Sequence, residues 1–386
     1  MYRKILQRSP AIRSANIIII DDSDISRYLV KSFFSGAGFT NLFFAENGQE
    51  ALDNIGSINP DIVITDLLMP KMSGHEFIKK LREIKEYDHI PIIVQTASTE
   101  LEERNEAFEN GASDVITKPL QREELLSRVA FHLENVLFRK RVEKELESAR
   151  ELQFSMLPDE ADVKSVETKY NIDVASCFMP SSELGGDFWG FKKISLSELS
   201  IYMVDVSGHG VAAALNTFRI QSLLNSPNSF LSSTSIFLKK LNRRMFGLLP
   251  VGQFSTMFYG VINLGDNMLY YSSAASLGGV IIKKNGNVLP LNANGAPLGV
   301  SIDADYETHQ ASYEKGDTIV LYSDALVESA NDENKFLSQE EISDILSQSK
   351  ELPAAKILEN LTYAFRAHTG KSPVEDDLTI NVYKRS

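Results

Sequence analysis

The sequence predicts two folded domains joined by a long helix, the first an α/β domain on a parallel sheet and the second an α+β domain. Between residues 14 and 125, short β-branched runs alternate with amphipathic segments, which is typical of a doubly wound parallel sheet. No glycine occurs between Gln121 and Pro158, which favours one continuous helix. Residues 165–386 mix strands and helices without regular alternation, as α+β domains do.

Length and composition narrow the class of protein. A chain of 386 residues suits two domains better than one. Its net charge of -13 argues against a nucleic-acid partner, because that affinity depends on clustered lysine and arginine. The single cysteine, Cys177, excludes an internal disulfide and favours a reducing compartment. We see neither a signal peptide nor an apolar run of about 18 residues, so we expect a cytoplasmic protein that does not enter a membrane.

Five apolar runs of the first domain are predicted strands: Ile17–Ile20, Asn41–Ala45, Asp61–Thr65, Pro91–Thr96 and Ser113–Ile116. Asp21 and Asp22 follow the first strand, and Asp66 follows the third. Because ligands bind at the carboxyl ends of such strands, we expect the three carboxylates to lie together, where their repulsion requires a divalent cation. Oxygen ligands suit Mg²⁺.

Two further polar residues are predicted at the same edge of the sheet. Thr96 follows the fourth strand and Lys118 follows the fifth, which adds a hydroxyl and an ammonium group to the three acids. Any one of these residues alone is better explained as part of a turn. Their joint placement instead predicts a site for a phosphoryl group, in which a carboxylate can act as the nucleophile.

The motifs at this edge resemble the response-regulator receiver family over about Ser14–Leu125. They are Asp21-Asp22, Asp66-Leu67-Leu68-Met69-Pro70 followed by Gly74, Thr96-Ala97 and Lys118-Pro119. The resemblance implies a sheet of order 2-1-3-4-5 and transfer of phosphate to Asp66 from a sensor histidine kinase or phosphotransfer protein. It also implies that Asp21, Asp22 and Asp66 bind Mg²⁺, that Thr96 contacts the phosphoryl group and triggers the switch, and that Lys118 neutralises its charge.

The segment 121–158 carries an apolar stripe among dense charges. Its members recur mostly at spacings of three and four: Leu125, Val129, Leu133, Val136, Phe138, Val142, Leu146, Ala149, Leu152 and Met156. Such a stripe needs a partner. We predict a helical, possibly coiled-coil linker that pairs with the same helix of a second subunit in a homodimer, with packing back onto its own domains as the alternative.

In the second domain, seven strands and three helices are predicted. The strands are Ile172–Phe178, Leu199–Asp205, Thr256–Leu264, Met268–Ser273, Gly279–Lys283, Thr318–Tyr322 and Leu378–Tyr383, and the helices are Val211–Leu224, Ser233–Met245 and Pro353–His368. Acidic residues lie beside glycine or at strand ends, namely Asp187, Asp205, Asp324, Asp376 and Asp377. A charge that joins an apolar run is costly unless it is paired, so convergence on metal is favoured.

The expected chemistry of this second acidic set is hydrolysis by two metal ions. Two hard cations can lower the pKa of a shared water and clamp a phosphate for in-line attack. Cys177 lacks the basic anion loop of a cysteine phosphatase, and no nucleotide-binding loop of the form GxxxxGK[ST] occurs. A metal-dependent hydrolase is therefore the favoured interpretation.

The ordered acidic motifs resemble the bacterial, sporulation and stress-response branch of the Mg²⁺/Mn²⁺-dependent serine/threonine phosphatases, over about Lys169–Tyr383. The motifs are Gly185-Gly186-Asp187, Asp205-Val206-Ser207-Gly208-His209-Gly210, Ser323-Asp324 and Asp376-Asp377-Leu378-Thr379, with Ala149–Pro158, Phe254–Phe258 and Gly295–Gly299 as further matches. The resemblance implies a β-sandwich flanked by helices and a pair of Mn²⁺ or Mg²⁺ ions. By the same resemblance, Asp205 bridges both ions, Asp187 and the Val206 carbonyl complete one, and Asp324 and Asp376 complete the other.

Three residues of these motifs are weaker candidates. Asp377 and Gly186 are possible site residues, and His209 is either a catalytic group or a hydrogen-bonding turn residue. The sequence departs from the family pattern at Trp189-Gly190, Ala275-Ser276-Leu277 and Ala325, and none of these departures removes a predicted metal ligand.

Together the two resemblances imply a phosphatase controlled by Asp66 phosphorylation in a bacterial two-component or partner-switching pathway, with a phosphorylated anti-sigma factor antagonist as substrate. The alternative is a phosphatase-like adaptor without turnover that binds a sigma-factor regulator under control of the receiver. The retained acids favour the enzyme, because a site without metal has no physical need for converging carboxylates.

Overall fold

The chain forms two separately folded units, Met1–Glu145 and Leu146–Ser386. The computed structural model describes residues 2–97, 101–208, 210–225, 232–250, 252–370, 372 and 374–386. His209, one of the possible site residues, lies outside the described residues.

The first unit is an α/β domain in which helices alternate with strands. Its elements are α1 (Tyr2–Arg8), a 3₁₀ turn (Pro10–Ser14), β1 (Ile17–Ile20), α2 (Asp24–Ser35), β2 (Leu42–Ala45), α3 (Gly48–Ile58), β3 (Ile62–Asp66), α4 (Gly74–Glu83), β4 (Ile92–Thr96), α5 (Leu101–Glu109), β5 (Asp114–Thr117) and the first part of α6 (Arg122–Phe154), whose residues from Leu146 belong to the second unit. The five strands are parallel in the order β2-β1-β3-β4-β5. The predicted 2-1-3-4-5 sheet is confirmed.

The central strand β1 shows why this sheet is covered on both faces. Ile17 and Ile19 belong to one hydrophobic core, whereas Ile18 and Ile20 belong to the core on the opposite face. All four side chains are completely buried. A strand buried on both sides has a continuous apolar sequence rather than an alternating one, as the run of four isoleucines indicates.

Helix α6 is divided between two environments. Its first turns bury Leu125, Val129 and Leu133 in the core that also contains Ile17 and Ile19. These three residues had been predicted to contribute to an intersubunit stripe, and the structure instead uses them to cover the sheet of their own unit, which would otherwise expose its isoleucines. Further along the stripe the side chains are more exposed, and 66% of the surface of Phe138 is exposed.

This division predicts opposite effects for two substitutions in α6. Leu133→Ala should reduce the stability of the first unit by about 2–5 kcal/mol, because it leaves a cavity in a packed core. Phe138→Ala should leave that stability nearly unchanged, because the side chain is largely exposed. Hydrogen-exchange protection of β1–β5 in the full chain measures both effects. Equal loss of protection in the two variants would contradict the assignment of Leu133 to the core.

The second unit is a sandwich of two antiparallel sheets. Its elements are α7 (Glu160–Tyr170), β6 (Ile172–Met179), β7 (Phe188–Lys193), β8 (Glu198–Val206), α8 (Gly210–Leu224), α9 (Thr234–Met245), β9 (Ser255–Asn263), β10 (Met268–Ala274), β11 (Gly279–Ile282), β12 (Val288–Pro290), β13 (His309–Ser312), β14 (Thr318–Tyr322), α10 (Ala325–Glu328), α11 (Gln339–Gln348), α12 (Ala354–Thr369) and β15 (Leu378–Arg385). One sheet has the order β13-β10-β9-β8-β7 and the other β12-β11-β14-β15-β6.

Three hydrophobic cores stack through this unit. The central core lies between the sheets and includes Trp189, Phe258 and Tyr383. A second core packs α8 and α9 on the sheet that contains β8, and a third packs α11 and α12 on the sheet that contains β15. The predicted α+β class, with a β-sandwich flanked by helices, is confirmed.

The described helices include none that is both long enough and apolar enough to cross a membrane.

Candidate functional site

Three acids converge at the carboxyl edge of the first sheet. Asp21 and Asp22 directly follow β1, and Asp66 is the last residue of β3. One carboxylate oxygen from each of the three lies within 4.8 Å of the others. The turn is fixed locally, because the Ser23 amide donates to Asp21 Oδ1 at 2.9 Å and the Leu67 amide donates to Asp66 Oδ1 at 2.7 Å. An all-oxygen set of this kind fits Mg²⁺.

Lys118 lies between two of these acids. Its Nζ donates to Asp66 Oδ2 at 2.5 Å and to Asp21 Oδ2 at 3.1 Å. Burial alone would lower the pKa of Lys118, but the hydrogen bonds and charges of Asp66 and Asp21 outweigh it and raise the pKa above its usual value. The lysine is therefore a fixed positive charge beside Asp66, as a residue that neutralises a phosphoryl group must be.

Thr96 and Gly74 complete this edge of the sheet. Thr96 ends β4, is buried, and donates through its hydroxyl to Glu103 at 3.3 Å. A Cβ added to Gly74 would lie 2.2 Å from the backbone oxygen of Asp66. No side chain is tolerated at Gly74 without displacing the residue that carries the candidate phosphoacceptor carboxylate.

In the second unit, Asp377 holds the turn that presents Asp187. Its Oδ1 accepts from the amide of Ser181 at 2.7 Å, and its Oδ2 accepts from the amides of Gly186 and Asp187. Only 2% of Asp377 is exposed. Because both of its carboxylate oxygens already accept backbone hydrogen bonds, Asp377 supports the turn, and its exposed neighbour Asp376 is the better candidate for a metal ligand.

Asp187 is oriented by β15 and by a tight backbone approach. Its Oδ2 accepts from the Thr379 hydroxyl at 2.6 Å. A Cβ at Gly186 would lie 2.7 Å from the carbonyl oxygen of Val206, so this carbonyl at the end of β8 faces the turn that carries Asp187. The glycine is required by that close approach.

The acids of the second unit line two cavities, and Asp324 lines both of them. Asp187, Asp205 and Asp324 line a small cavity of about 50 Å³. Asp324 and Asp376 line a neighbouring cavity of about 610 Å³. Among the described residues, three carboxylate oxygens come within 4.8 Å of one another only at Asp21, Asp22 and Asp66, so the acids of the second unit are more widely spaced.

Burial and mutual repulsion raise the pKa values of three acids in the second unit, Asp187, Asp205 and Asp324. Burial is the largest cause for each of them. It raises the pKa of Asp187 well above the usual range, with the charge of Asp205 as the next cause. The pKa of Asp205 rises to about 7, since Asp324, Asp376 and Asp377 add their charges to burial, and the pKa of Asp324 is also raised. Carboxylates that are costly to ionise and supply only oxygen donors fit hard divalent cations, which would remove that cost.

The departures from the family pattern lie around this site or in the core behind it. Ala275, Ser276 and Leu277 line the small cavity together with Asp187 and Asp205. Ala275 has φ 56°, the left-handed region that is uncommon for a residue with a side chain. Trp189 is a core residue, and a Cβ at Gly190 would meet the Tyr202 hydroxyl at 2.4 Å.

Three residues that hold the acids in place, Gln153, Ser181 and Thr379, had no predicted role. Gln153 lies on the last turn of α6 and forms hydrogen bonds with both backbone groups of Gly185. For Gln153 the available signal was the resemblance of Ala149–Pro158 to the family's pattern, which includes a glutamine, whereas the partners of Ser181 and Thr379 are distant in sequence. No pattern in the chain could have paired them.

Comparison with known proteins gives two separate matches. Residues 17–130 match the family model of the response regulator receiver domain, and residues 197–386 match that of stage II sporulation protein E. Together the matched regions include most of the chain, in the same order as the two folded units.

Each of the individual relatives matches only part of this chain. The phosphoserine phosphatase RsbU of Bacillus subtilis is 28% identical over 246 residues, which cover 63% of this chain and 71% of RsbU. The response regulator MprA of Mycolicibacterium vanbaalenii is 37% identical over 113 residues, which cover 29% of this chain and 48% of MprA, so the chain spans about half the length of that relative.

A solved structure supports the fold of the second unit. The SiaA-PP2C domain of Pseudomonas aeruginosa superimposes with a TM-score of 0.57 at 18% identity and covers 65% of this chain and 98% of that domain. The chain thus consists of an N-terminal response regulator receiver domain and a C-terminal domain of the stage II sporulation protein E family, a branch of the metal-dependent protein phosphatases.

Proposed function

We propose that the chain is a protein serine/threonine phosphatase whose two-metal site is controlled by phosphorylation of Asp66. The observation that carries the proposal is the group of Asp187, Asp205 and Asp324 around one small cavity, with raised pKa values. Buried carboxylates that repel one another are stabilised by cations. The matched phosphatase family catalyses a hydrolysis that uses divalent metal ions.

The proposed roles follow the resemblance to the phosphatase family. Asp205 would contribute to holding both Mn²⁺ or Mg²⁺ ions, Asp187 and the Val206 carbonyl would hold one, and Asp324 and Asp376 would hold the other. When bound, such ions lower the pKa of a water and offset the charge of the phosphate. Thr379 keeps Asp187 in place through its hydrogen bond, and Asp377 keeps the turn closed.

In the receiver, Asp66 is the proposed phosphoacceptor. A carboxylate oxygen of Asp66 attacks the phosphorus of a phosphohistidine, which forms an acyl phosphate and releases the imidazole. Lys118 is in place to offset the charge of the new phosphoryl group. Thr96, at the end of the adjacent strand, is the proposed contact that responds to it, and Asp21 and Asp22 hold Mg²⁺ with Asp66.

The proposed partners are a sensor histidine kinase or phosphotransfer protein and a phosphorylated anti-sigma factor antagonist. The second proposal rests on the likeness to RsbU, a phosphoserine phosphatase. The acidic surface implied by a net charge of -13 disfavours nucleic acid as an alternative partner.

The phosphatase assignment predicts that Asp205→Asn loses Mn²⁺-dependent hydrolysis of p-nitrophenyl phosphate by orders of magnitude, because one bridging charge serves both ions. Chelation with EDTA should abolish wild-type activity. The matched control is Asp303→Asn, which makes the same charge change at an exposed position of the same unit. Undiminished turnover by Asp205→Asn, or in excess EDTA, would contradict the two-metal site, and a wild-type protein that folds but never turns over would support the adaptor alternative.

The exposed part of α6 is the proposed link between the two units within residues 121–158. From Phe138 onward the stripe continues through Val142, Leu146 and Ala149 to Leu152, and Phe138 and Leu152 are 66% and 61% exposed. Exposed apolar residues at helical spacing need a partner. We propose a second copy of the same helix, so that the chain acts as a homodimer and phosphorylation alters the pairing.

Pairing through α6 predicts that Val142→Asp with Leu146→Asp weakens dimerisation, because charges in an apolar seam lose solvation without gaining partners. Leu196→Asp is the matched control, since it makes the same kind of change at a side chain that is 99% exposed and lies outside the helix. Light scattering on the full chain measures the mass. A double variant with the mass of a dimeric wild type would contradict the seam, and a monomeric wild type would contradict the dimer.

A further inference from the structure

Thr96 lies between the strands that carry Asp66 and Lys118. Strand β4 pairs with β3 on one side, where Gln95 is opposite Asp66, and with β5 on the other, where Thr96 is opposite Thr117. Lys118 follows Thr117, and its amide donates to the Thr96 carbonyl at 2.7 Å. The backbone of Thr96 is therefore held at the centre of this edge, so a change of partner at Thr96 falls on its side chain.

The Thr96 side chain is hydrogen-bonded to helix α5. Its hydroxyl donates to Oε1 of Glu103 at 3.3 Å, and only 2% of Thr96 is exposed. A buried hydroxyl needs a hydrogen-bond partner. A hydroxyl also carries a single hydrogen, so it can donate to one strong acceptor at a time. In this arrangement Glu103 accepts that hydrogen.

Glu103 is positioned by a helix that is anchored at its other end. It lies on the first turn of α5, where the helix dipole favours a carboxylate. Beyond the last turn, the Gly111 carbonyl accepts from Arg82 Nε at 3.0 Å and from Arg82 Nη2 at 2.7 Å. Because Arg82 belongs to the neighbouring helix α4, this contact limits how far Glu103 can follow the Thr96 side chain.

A phosphoryl group on Asp66 would be a second anionic acceptor for the same hydroxyl. Such a group carries about two negative charges and strong acceptor oxygens, and Asp66 is on the strand next to β4. Thr96 cannot donate its one hydrogen to both acceptors. Contact between Thr96 and the phosphoryl group therefore requires that the hydrogen bond to Glu103 be broken.

We propose that Glu103 is a positioning residue for Thr96 and competes with the phosphoryl group on Asp66 for the Thr96 hydroxyl. The inference rests on the proposed phosphorylation of Asp66 and assigns Glu103 a role that opposes it. By holding the hydroxyl toward α5, the Glu103 carboxylate lowers the affinity of the receiver for a phosphoryl group or its mimic. Removal of that carboxylate should raise the affinity.

Titration of the full chain with beryllofluoride in the presence of Mg²⁺ measures this affinity. The ¹⁹F resonance that is present in the wild type and absent from Asp66→Asn reports the occupancy of the receiver. Glu103→Ala should bind beryllofluoride roughly three- to tenfold more tightly, which is the net effect of one hydrogen bond on an equilibrium. Glu103→Gln should shift the affinity in the same direction by less, because a neutral amide oxygen is a weaker acceptor than a carboxylate.

A Thr96→Val background separates competition for the hydroxyl from charge repulsion alone. Valine has nearly the shape of threonine and no hydroxyl. In that background Glu103→Ala should change the affinity little, because there is no hydrogen for which to compete. The difference between the two backgrounds measures the coupling of the two side chains. A purely structural or purely electrostatic role of Glu103 would give the same change in both backgrounds.

The matched control is Glu102→Ala, which removes the same charge from the same turn of α5 at an exposed position. It should keep nearly wild-type affinity. Three results would overturn the inference and leave phosphorylation of Asp66 intact: unchanged or weaker affinity in folded Glu103→Ala and Glu103→Gln proteins, an equal gain in Glu102→Ala, or an equal gain in the Thr96→Val background. A wild-type chain without an Asp66-dependent resonance would instead overturn the proposed function of the receiver.

Discussion

Asp187 is a carboxylate with 2% of its surface exposed, next to other acids, at one end of a β-sandwich. Ionising it there is unfavourable, because burial removes water and Asp205 adds repulsion. The surrounding structure serves to hold this group in place. Thr379 donates to it, Asp377 fixes the backbone before it, and glycines at positions 185 and 186 allow the chain to pass between neighbouring atoms.

Each unit places acidic side chains near one another, and the repulsion between them is offset differently in the two units. In the receiver, Lys118 lies between Asp21 and Asp66 and supplies a permanent positive charge, so a phosphoryl group can be added to an arrangement that is already partly neutralised. In the second unit, no lysine or arginine of the described residues forms an ion pair with Asp187 or Asp205. Divalent cations are the natural source of the missing charge. The first site is thus suited to a transient covalent modification and the second to hydrolysis.

Much of this architecture is predictable from the sequence, because its signals are local. The isoleucine run of β1, the acids that follow β1 and β3, and Lys118 after β5 are each adjacent to a strand, and a parallel sheet brings their ends together. The boundaries of strands such as Thr318–Tyr322 were predicted correctly for the same reason. Strand β7 was missed, since Phe188–Phe191 is buried throughout and does not alternate.

Other features depend on contacts between residues distant in the sequence. Leu125, Val129 and Leu133 have the spacing expected of an intersubunit seam, and nothing local distinguishes that use from packing on their own sheet, which the structure shows. The partnership of Asp377 with Ser181 and that of Gln153 with Gly185 join residues from different elements. Their existence depends on how the sandwich closes, so the sequence indicated the acids but not the groups that hold them.

Control of the second unit by the receiver is the central claim, and the effect of beryllofluoride on hydrolysis tests it most directly. The initial rate on p-nitrophenyl phosphate should be measured at fixed Mn²⁺, with and without beryllofluoride, for the wild-type chain and for Asp66→Asn. The account predicts a change in the wild-type rate and none in the variant, because beryllofluoride mimics the phosphoryl group only on an intact Asp66 carboxylate. Equal rates with and without beryllofluoride in the wild type, or the same change in both proteins, would contradict it.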